Sequence, residues 1–242
     1  MNAKEMQYDY KQKLNKIDSQ KYRNLKVPEI DWKLNEAQEL LIKMILEPRL
    51  KSQVGFEMNQ RTIDDVRTIV IDQKPADYIT SLSYDSTSYI TSLPTDYWFL
   101  AKVNIIASKG SCTGVLMYDS QEIQHDDKSE YSVFNKSSFE WRVSNYRFNS
   151  QGLRNFTDAT FSIDNIGFEY IKRPRAIYNA GDYVGGVYNG LDGQIYVGIQ
   201  NCELPEEIHR EIVDLAVFVT AGDLNLSSYQ IKQNKVALNN KG

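Results

Sequence analysis

Two hydrophobic periods divide this chain, and together they restrict it to folds that join helices to a sheet region. Near the start, Trp32, Leu34, Ala37, Leu41, Met44 and Ile45 recur at spacings of three and four, which places them on one stripe of a helix. Pro28 and Asp31 mark its beginning. Pro48 ends it, because proline lacks an amide hydrogen and disfavours helix at Glu47. A second helix is expected over 59–69, with Ile63, Val66 and Val70 turned toward the first and Gly55 in the joint, so the pair makes a helical hairpin. From Asp96 the period becomes two. Residues 97–107 read as a strand, or as a helical turn leading into one, and 115–118, 139–148, 161–166, 168–173 and 194–198 read as further strands. Gly190-Leu191-Asp192-Gly193 reads as a turn. Leu204-Pro205-Glu206-Glu207 then opens a last helix, with proline at its start and two acids where the helix dipole favours them. Its stripe is Ile208, Ile212, Leu215, Ala216 and Val219, and Gly222 closes it.

The expected fold is therefore α+β: an N-terminal helical hairpin and a C-terminal helix packed with a mainly antiparallel β-rich region, with flexible arms at both ends. In residues 1–26, Lys4, Lys11, Lys13, Lys16, Lys21, Arg23 and Lys26 outnumber Glu5, Asp9 and Asp18. Met6, Tyr10, Leu14 and Ile17 could form one face of a helix, but alone they carry too little apolar surface to offset the entropy of ordering. This segment reads as an arm that orders on a neighbour, with a frayed terminus as the plainer reading. Residues 27–226 read as one α+β domain, helical over 30–71, β-rich over 96–200 and closed by the helix at 205–221. Residues 227–242, polar and basic without an acid, read as a second arm.

Composition removes several classes of function. The formal net charge is −4, so no global basic field draws in nucleic acid. Cys112 and Cys202 lie far apart with no Cys or His ligand near either, which is too few ligands for a zinc site. Two buried reduced thiols fit better than a lone disulfide, consistent with assembly in a reducing cytoplasm. The opening MNAKEMQYDYKQK has no apolar stretch of the signal-peptide kind. No run approaches the length of a membrane span.

Catalytic templates find little to hold. His125 precedes Asp126 and Asp127 in a polar loop, and His209 sits one position from the apolar stripe of the last helix. The first reads as a solvated or capping residue and the second as packing or helix surface, not as members of a triad. Adjacent acids such as Asp64/Asp65 and Glu206/Glu207 diverge by about 100° on a helix and do not form an acid–base pair. Gly181-Asp182-Tyr183-Val184-Gly185-Gly186 has an acid where a phosphate would sit and reads as a loop. No catalytic residue, metal ligand or cofactor site is assigned. Lys172, Arg173 and Arg175 form a compact basic cluster, readable as a contact to a partner subunit or to DNA, or as an ordinary exposed strand end.

Tyrosine is the other unusual feature, with 16 against nine phenylalanines. A large ring with a wet hydroxyl suits interfaces as well as β-cores. Were Tyr146, Tyr183 and Tyr188 to line an open groove, a carbohydrate- or receptor-binding module would be favoured. An enzyme would instead need a deep pocket with converging acids.

Several segments in fixed order carry a resemblance. Asp31-Trp32-Lys33-Leu34-Asn35-Glu36-Ala37-Gln38, Gly55-Phe56 through Gln60-Arg61 with Asp64-Asp65, and Leu93-Pro94-Thr95-Asp96-Tyr97 form its first half. His125-Asp126-Asp127, Tyr170-Ile171-Lys172-Arg173-Pro174 and Leu204-Pro205-Glu206-Glu207-Ile208-His209-Arg210-Glu211-Ile212-Val213 form its second. Over roughly residues 30–225 the chain resembles the ring or neck proteins of crAss-like bacteriophages, and more distantly the tail-tubular or gatekeeper connectors of short-tailed phages. The resemblance implies a non-enzymatic virion subunit, assembled in the host cytoplasm and self-associating into a ring of twelve-fold or six-fold symmetry. Such a ring would meet the portal or adjacent tail rings, touch channel DNA without sequence preference, and stand clear of any membrane. No catalytic residue comes with the family.

Overall fold

A computed structural model describes residues 1–15, 25–46, 64–124 and 135–223. The fold is α+β, with helices toward both ends of the chain and a mainly antiparallel β region between them. The expected second helix of the hairpin falls largely outside the described residues, as do His125 and the arm at 227–242. Contacts group the chain into two compact units, one of residues 70–173 and one of 1–69 with 174–242. The stretch 96–200, read as one β-rich region, is thus divided between them.

The 70–173 unit holds strands β1 (Val70–Asp72), β2 (Ile79–Thr80), β3 (Leu82–Asp85), β4 (Ser88–Thr91), β5 (Tyr97–Lys109), β6 (Cys112–Met117), β7 (Asp119–Glu122), β8 (Val143–Asn149), β9 (Gly152–Phe156) and β10 (Ser162–Lys172). They form two five-stranded sheets. The first runs β1-β10-β5-β6 with β2 also on β10; the second runs β3-β4-β9-β8-β7, in which only β7 and β8 are parallel. The chain passes between the sheets four times, and at two of these passages, Ser81 and Tyr118, it runs from an edge of one to an edge of the other. Ser81 is held on both sides: its amide donates to Asp164 O at 2.9 Å, and its hydroxyl meets that of Thr91 at 2.6 Å. Strands that change sheets make corners, and here they shield edges that would otherwise be open to pairing.

Period two does what it promised along β5, where Val103, Ile105 and Ala107 are buried in alternation. They meet Ile163, Ile166, Phe168 and Tyr170 of β10 and Tyr146 and Leu153 of the second sheet in one core. The two strands expected at 161–166 and 168–173 are a single strand, β10. Gly167 allows this, since a Cβ there would lie 2.1 Å from the Tyr78 ring that crosses the strand. The strand expected at 139–148 starts only at Val143, after a turn in which Arg142 has φ 55°. Replacing Phe168, fully buried in this core, with alanine is expected to cost about 3–5 kcal/mol in urea unfolding. Gly152→Ala should also destabilise, because Gly152 has φ 137° and a Cβ would sit 2.2 Å from Thr91 O.

The other unit is built on helices α1 (Ala3–Asn15), α2 (Val27–Leu46) and α3 (His209–Asp223), with short ladders pairing β11 (Tyr178–Asn179) to β14 (Ile199–Gln200) and β12 (Val187–Asn189) to β13 (Ile195–Val197). Residues 3–15, expected within an arm that orders on a neighbour, instead fold against their own chain. The sequence pattern of Met6, Tyr10 and Leu14 is the buried face of α1. The surface that α1 lacks on its own comes from α3, where the Tyr10 hydroxyl meets that of Thr220 at 2.7 Å and Lys13 pairs with Asp214 at 3.1 Å. Reciprocal bonds between Asn2 and Glu5 (2.8 and 2.9 Å) cap α1, and the Glu29 carboxylate accepts from Lys26 N at 2.8 Å at the start of α2.

On α2, Leu34, Ala37, Leu41 and Ile45 are buried as the spacing predicts, whereas Trp32 is 44% exposed and its place inside is taken by Ile30 and Asp31. The last helix follows expectation: Ile208, Ile212, Leu215 and Ala216 are buried, and Val219 is half-buried. The turn at 190–193 also forms as expected, with Gly190 N donating to Gln194 O at 2.8 Å.

Candidate functional site

The group with the most unusual environment is the carboxylate of Asp31, which is buried in the middle of the helical unit. Its position on α2 follows a heptad: Asp31, Leu34, Gln38, Leu41 and Ile45 share one face, and all five are buried. Three elements supply donors. The Tyr188 hydroxyl from β12 donates to Oδ2 at 2.6 Å, the Asn179 amide from β11 donates to the same oxygen at 3.1 Å, and the Gln7 amide from α1 donates to Oδ1. Asn179 Nδ2 donates onward to Gln7 Oε1 at 3.2 Å and to Asp182 Oδ2 at 3.0 Å. One turn along α2, Asn35 imitates a strand neighbour: its Nδ2 donates to Ile177 O at 2.9 Å while its Oδ1 accepts from Ile177 N at 2.7 Å.

Burial raises the Asp31 pKa, and the bonds from Tyr188, Gln7 and Asn179 and the charge of Lys11 offset this only in part. Burial and the bond to Asp31 in turn push the Tyr188 hydroxyl well above its usual range. Tyr188 also anchors a ring cluster, with Tyr196 at 5.4 Å and Tyr183 at 5.7 Å between centroids, and Tyr178 meets Tyr196 at 4.6 Å. An open cleft of about 340 Å³ borders the network, lined by Lys4, Gln7, Tyr8, Lys11, Val27 and Asp182. Lys4 reaches Asp182 across it at 3.3 Å.

Chemically this arrangement joins elements: the carboxylate ties α1, α2, β11 and β12 to one another. All three bonds to Asp31 come from groups fixed in the fold, and among the described residues no cluster of three or more His, Cys, Asp or Glu could hold a metal. His209 is buried, its Nε2 bonded to Leu204 O at 2.8 Å at the start of α3. Glu206 accepts from the Met1 ammonium at 2.9 Å and Glu207 is exposed. Gly181 and Gly186 fall in two single 3-10 turns, Ala180–Asp182 and Val184–Gly186, in keeping with a loop. Both cysteines are free thiols, but Cys112, expected to be buried, is exposed on the edge strand β6, whereas burial pushes Cys202 up to about 11.

The boundary between the two units falls inside the basic run. Lys172 ends β10, Arg173 is exposed and its amide donates to Asp96 O at 2.8 Å, and Arg175 belongs to the helical unit, where its amide donates to Glu203 at 3.3 Å. Of the three tyrosines named for an open groove, Tyr146 and Tyr188 are buried and each lies in a different unit. Sequence reading took Asp31 as a helix-start signal and missed its burial. The signal that could have found it is the heptad it shares with Gln38, two polar residues at positions where the pattern calls for apolar ones.

Tyr188→Phe is expected to lose about 1.5–3 kcal/mol of stability, the range for a bond to a charged group. The pH dependence has a definite sign. Because the folded-state pKa of Asp31 is raised above its ordinary 3.8, the native state holds this proton more tightly than the unfolded chain. That contribution is present at low pH and lost as pH rises through the raised value. The stability of the wild type relative to Asp31→Asn should therefore decline from about pH 4 upward until Asp31 is fully ionised. Urea midpoints of the two proteins that run parallel across that window would contradict the assignment.

No curated protein sequence matches the chain. A family model described as phage tail ring protein 3/4 matches residues 1–235. That span takes in the segments whose order carried the resemblance. The chain belongs to the tail ring protein 3/4 family of crAss-like phages.

Proposed function

We propose that this protein is a non-enzymatic subunit of a closed ring in the tail or head–tail connector, forming part of the conduit through which the genome passes. The observation that carries this reading is the family match over residues 1–235. Ring subunits need two different faces that close by rotation, and a helical unit whose polar hub holds three elements in register suits the display of such faces. The groups best able to do chemistry, Asp31 and His209, are instead bonded into the fold. A net charge of −4 fits a conduit wall, because a strongly basic wall would retain DNA through its phosphates. The ring has twelve-fold or six-fold symmetry in this reading and meets the portal or an adjacent tail ring. Lys172, Arg173 and Arg175 are its candidate contacts to an acidic face of a neighbouring subunit or to channel DNA. The carbohydrate-binding alternative lacks its key feature, since Tyr146 and Tyr188 turn inward.

Quantitative mass spectrometry of purified particles tests the reading. The expected result is a copy number equal to that of the portal protein or a simple fraction of it, retained after the DNA is expelled. Absence from particles would overturn it, and hundreds of copies would point to the capsid shell.

A further inference from the structure

The hairpin β12–β13 has two faces of opposite character. Pairing sets Val187 opposite Val197, Tyr188 opposite Tyr196 and Asn189 opposite Ile195. Tyr188 turns inward to the Asp31 network, so the alternate residues Val187, Ile195 and Val197 share the outer face. These three, with Leu191 at the tip and Val184 and Ile199 flanking the base, are between 40% and 91% exposed. From Tyr183 to Gln200 the only charged residue is Asp192. Within this ladder the two strands pair only with each other. Folded proteins usually guard such edges with lysine or proline and do not leave aliphatic patches of several residues in water unless a partner covers them. With no lysine or arginine on it, this face cannot be a nucleic-acid surface.

A heterologous ring contact requires that the covering surface be carried by the same chain. The helical unit supplies one in the open cleft beside α1, lined by Tyr8 and Val27 with Gln7, Lys11 and the Lys4–Asp182 ion pair, so that the lysines outnumber the acid. The hairpin tip offers the complement: an exposed leucine next to an aspartate whose carboxyl accepts from the Tyr196 hydroxyl at 2.5 Å, a bond that lowers its pKa. We propose that the outer face of the β12–β13 hairpin is the surface by which one copy docks on the next, its Leu191–Asp192 tip entering the Lys4–Lys11 cleft of the neighbour. This rests on the ring reading and adds to it the two surfaces that close the ring.

The test is disulfide trapping in particles carrying the full chain with Cys112→Ser as background. Oxidation of the Tyr8→Cys/Leu191→Cys double variant is expected to give a ladder of multimers beyond the dimer on a non-reducing gel, while each single variant stays monomeric. Glutaraldehyde treatment of wild-type particles serves as an independent reading of the ring. A glutaraldehyde ladder without a cysteine ladder would leave the ring intact and overturn the docking assignment, as would a disulfide from Leu191→Cys to a different virion protein. If glutaraldehyde yields no multimers of this chain, the ring reading itself falls and the assignment with it. A second variant guards against misfolding: Ile195→Lys/Val197→Lys should enter particles at least about tenfold less than wild type while the free chain melts within a few degrees of it. Incorporation at the wild-type level would overturn the proposal.

Discussion

Taking a carboxylate out of water is unfavourable unless donors replace the lost hydration, and Asp31 meets that condition only when three separate elements arrive together. Gln7 comes from α1, Asn179 from β11 and Tyr188 from β12. None of these is near Asp31 in sequence, so the carboxylate acts as a registry point: a slip of any one element leaves a buried charge underserved. Removing one partner is therefore costly beyond the bond itself, because the remaining groups stay buried. Asn35 extends the same logic by pairing with the backbone of Ile177. This fixes the strand that carries Asn179 and, through Tyr188, the orientation of the hairpin.

That orientation matters for assembly. In a two-residue alternation the inward choice of Tyr188 and Tyr196 dictates which residues face out. The polar hub thus decides that an aliphatic surface, with no charge except at its tip, is presented to the outside. A ring subunit benefits from a rigid display of this kind, since ordering a loose loop at the interface would subtract from the binding free energy. The other unit is held together by a different route: two sheets share one apolar core and the chain links their edges at Ser81 and Tyr118.

Much of this was legible in the sequence where a single period persists. The alternation along β5 and the stripe of α3 read correctly because each is long and one face of each is buried. The shorter elements were less visible. β9 has five residues, and its Arg154 and Asn155 interrupt the apolar pattern; β10 was cut in two at Gly167, whose role is to admit the Tyr78 ring from elsewhere in the chain. α1 was read as an arm because its own apolar surface is small, and the partner that completes it, α3, lies some two hundred residues away. Asp31 was missed for a related reason: a buried carboxylate makes sense only once its donors are known, and they are distributed over three distant segments. The family was readable because it rests on the order of segments, which survives even where individual elements are misjudged.

A ring closed by copies of this chain, each with its hairpin fixed by the Asp31 hub, would be visible in the assembled tail. Electron cryomicroscopy of the tail in intact particles, averaged about the tail axis, tests it most directly. The expected density is a closed ring of identical copies, each with the β12–β13 hairpin seated against the next subunit and the Tyr188 hydroxyl bonded to Asp31. A tail in which this chain is present but forms no closed ring, or in which the hairpin stands free in solvent, would contradict it.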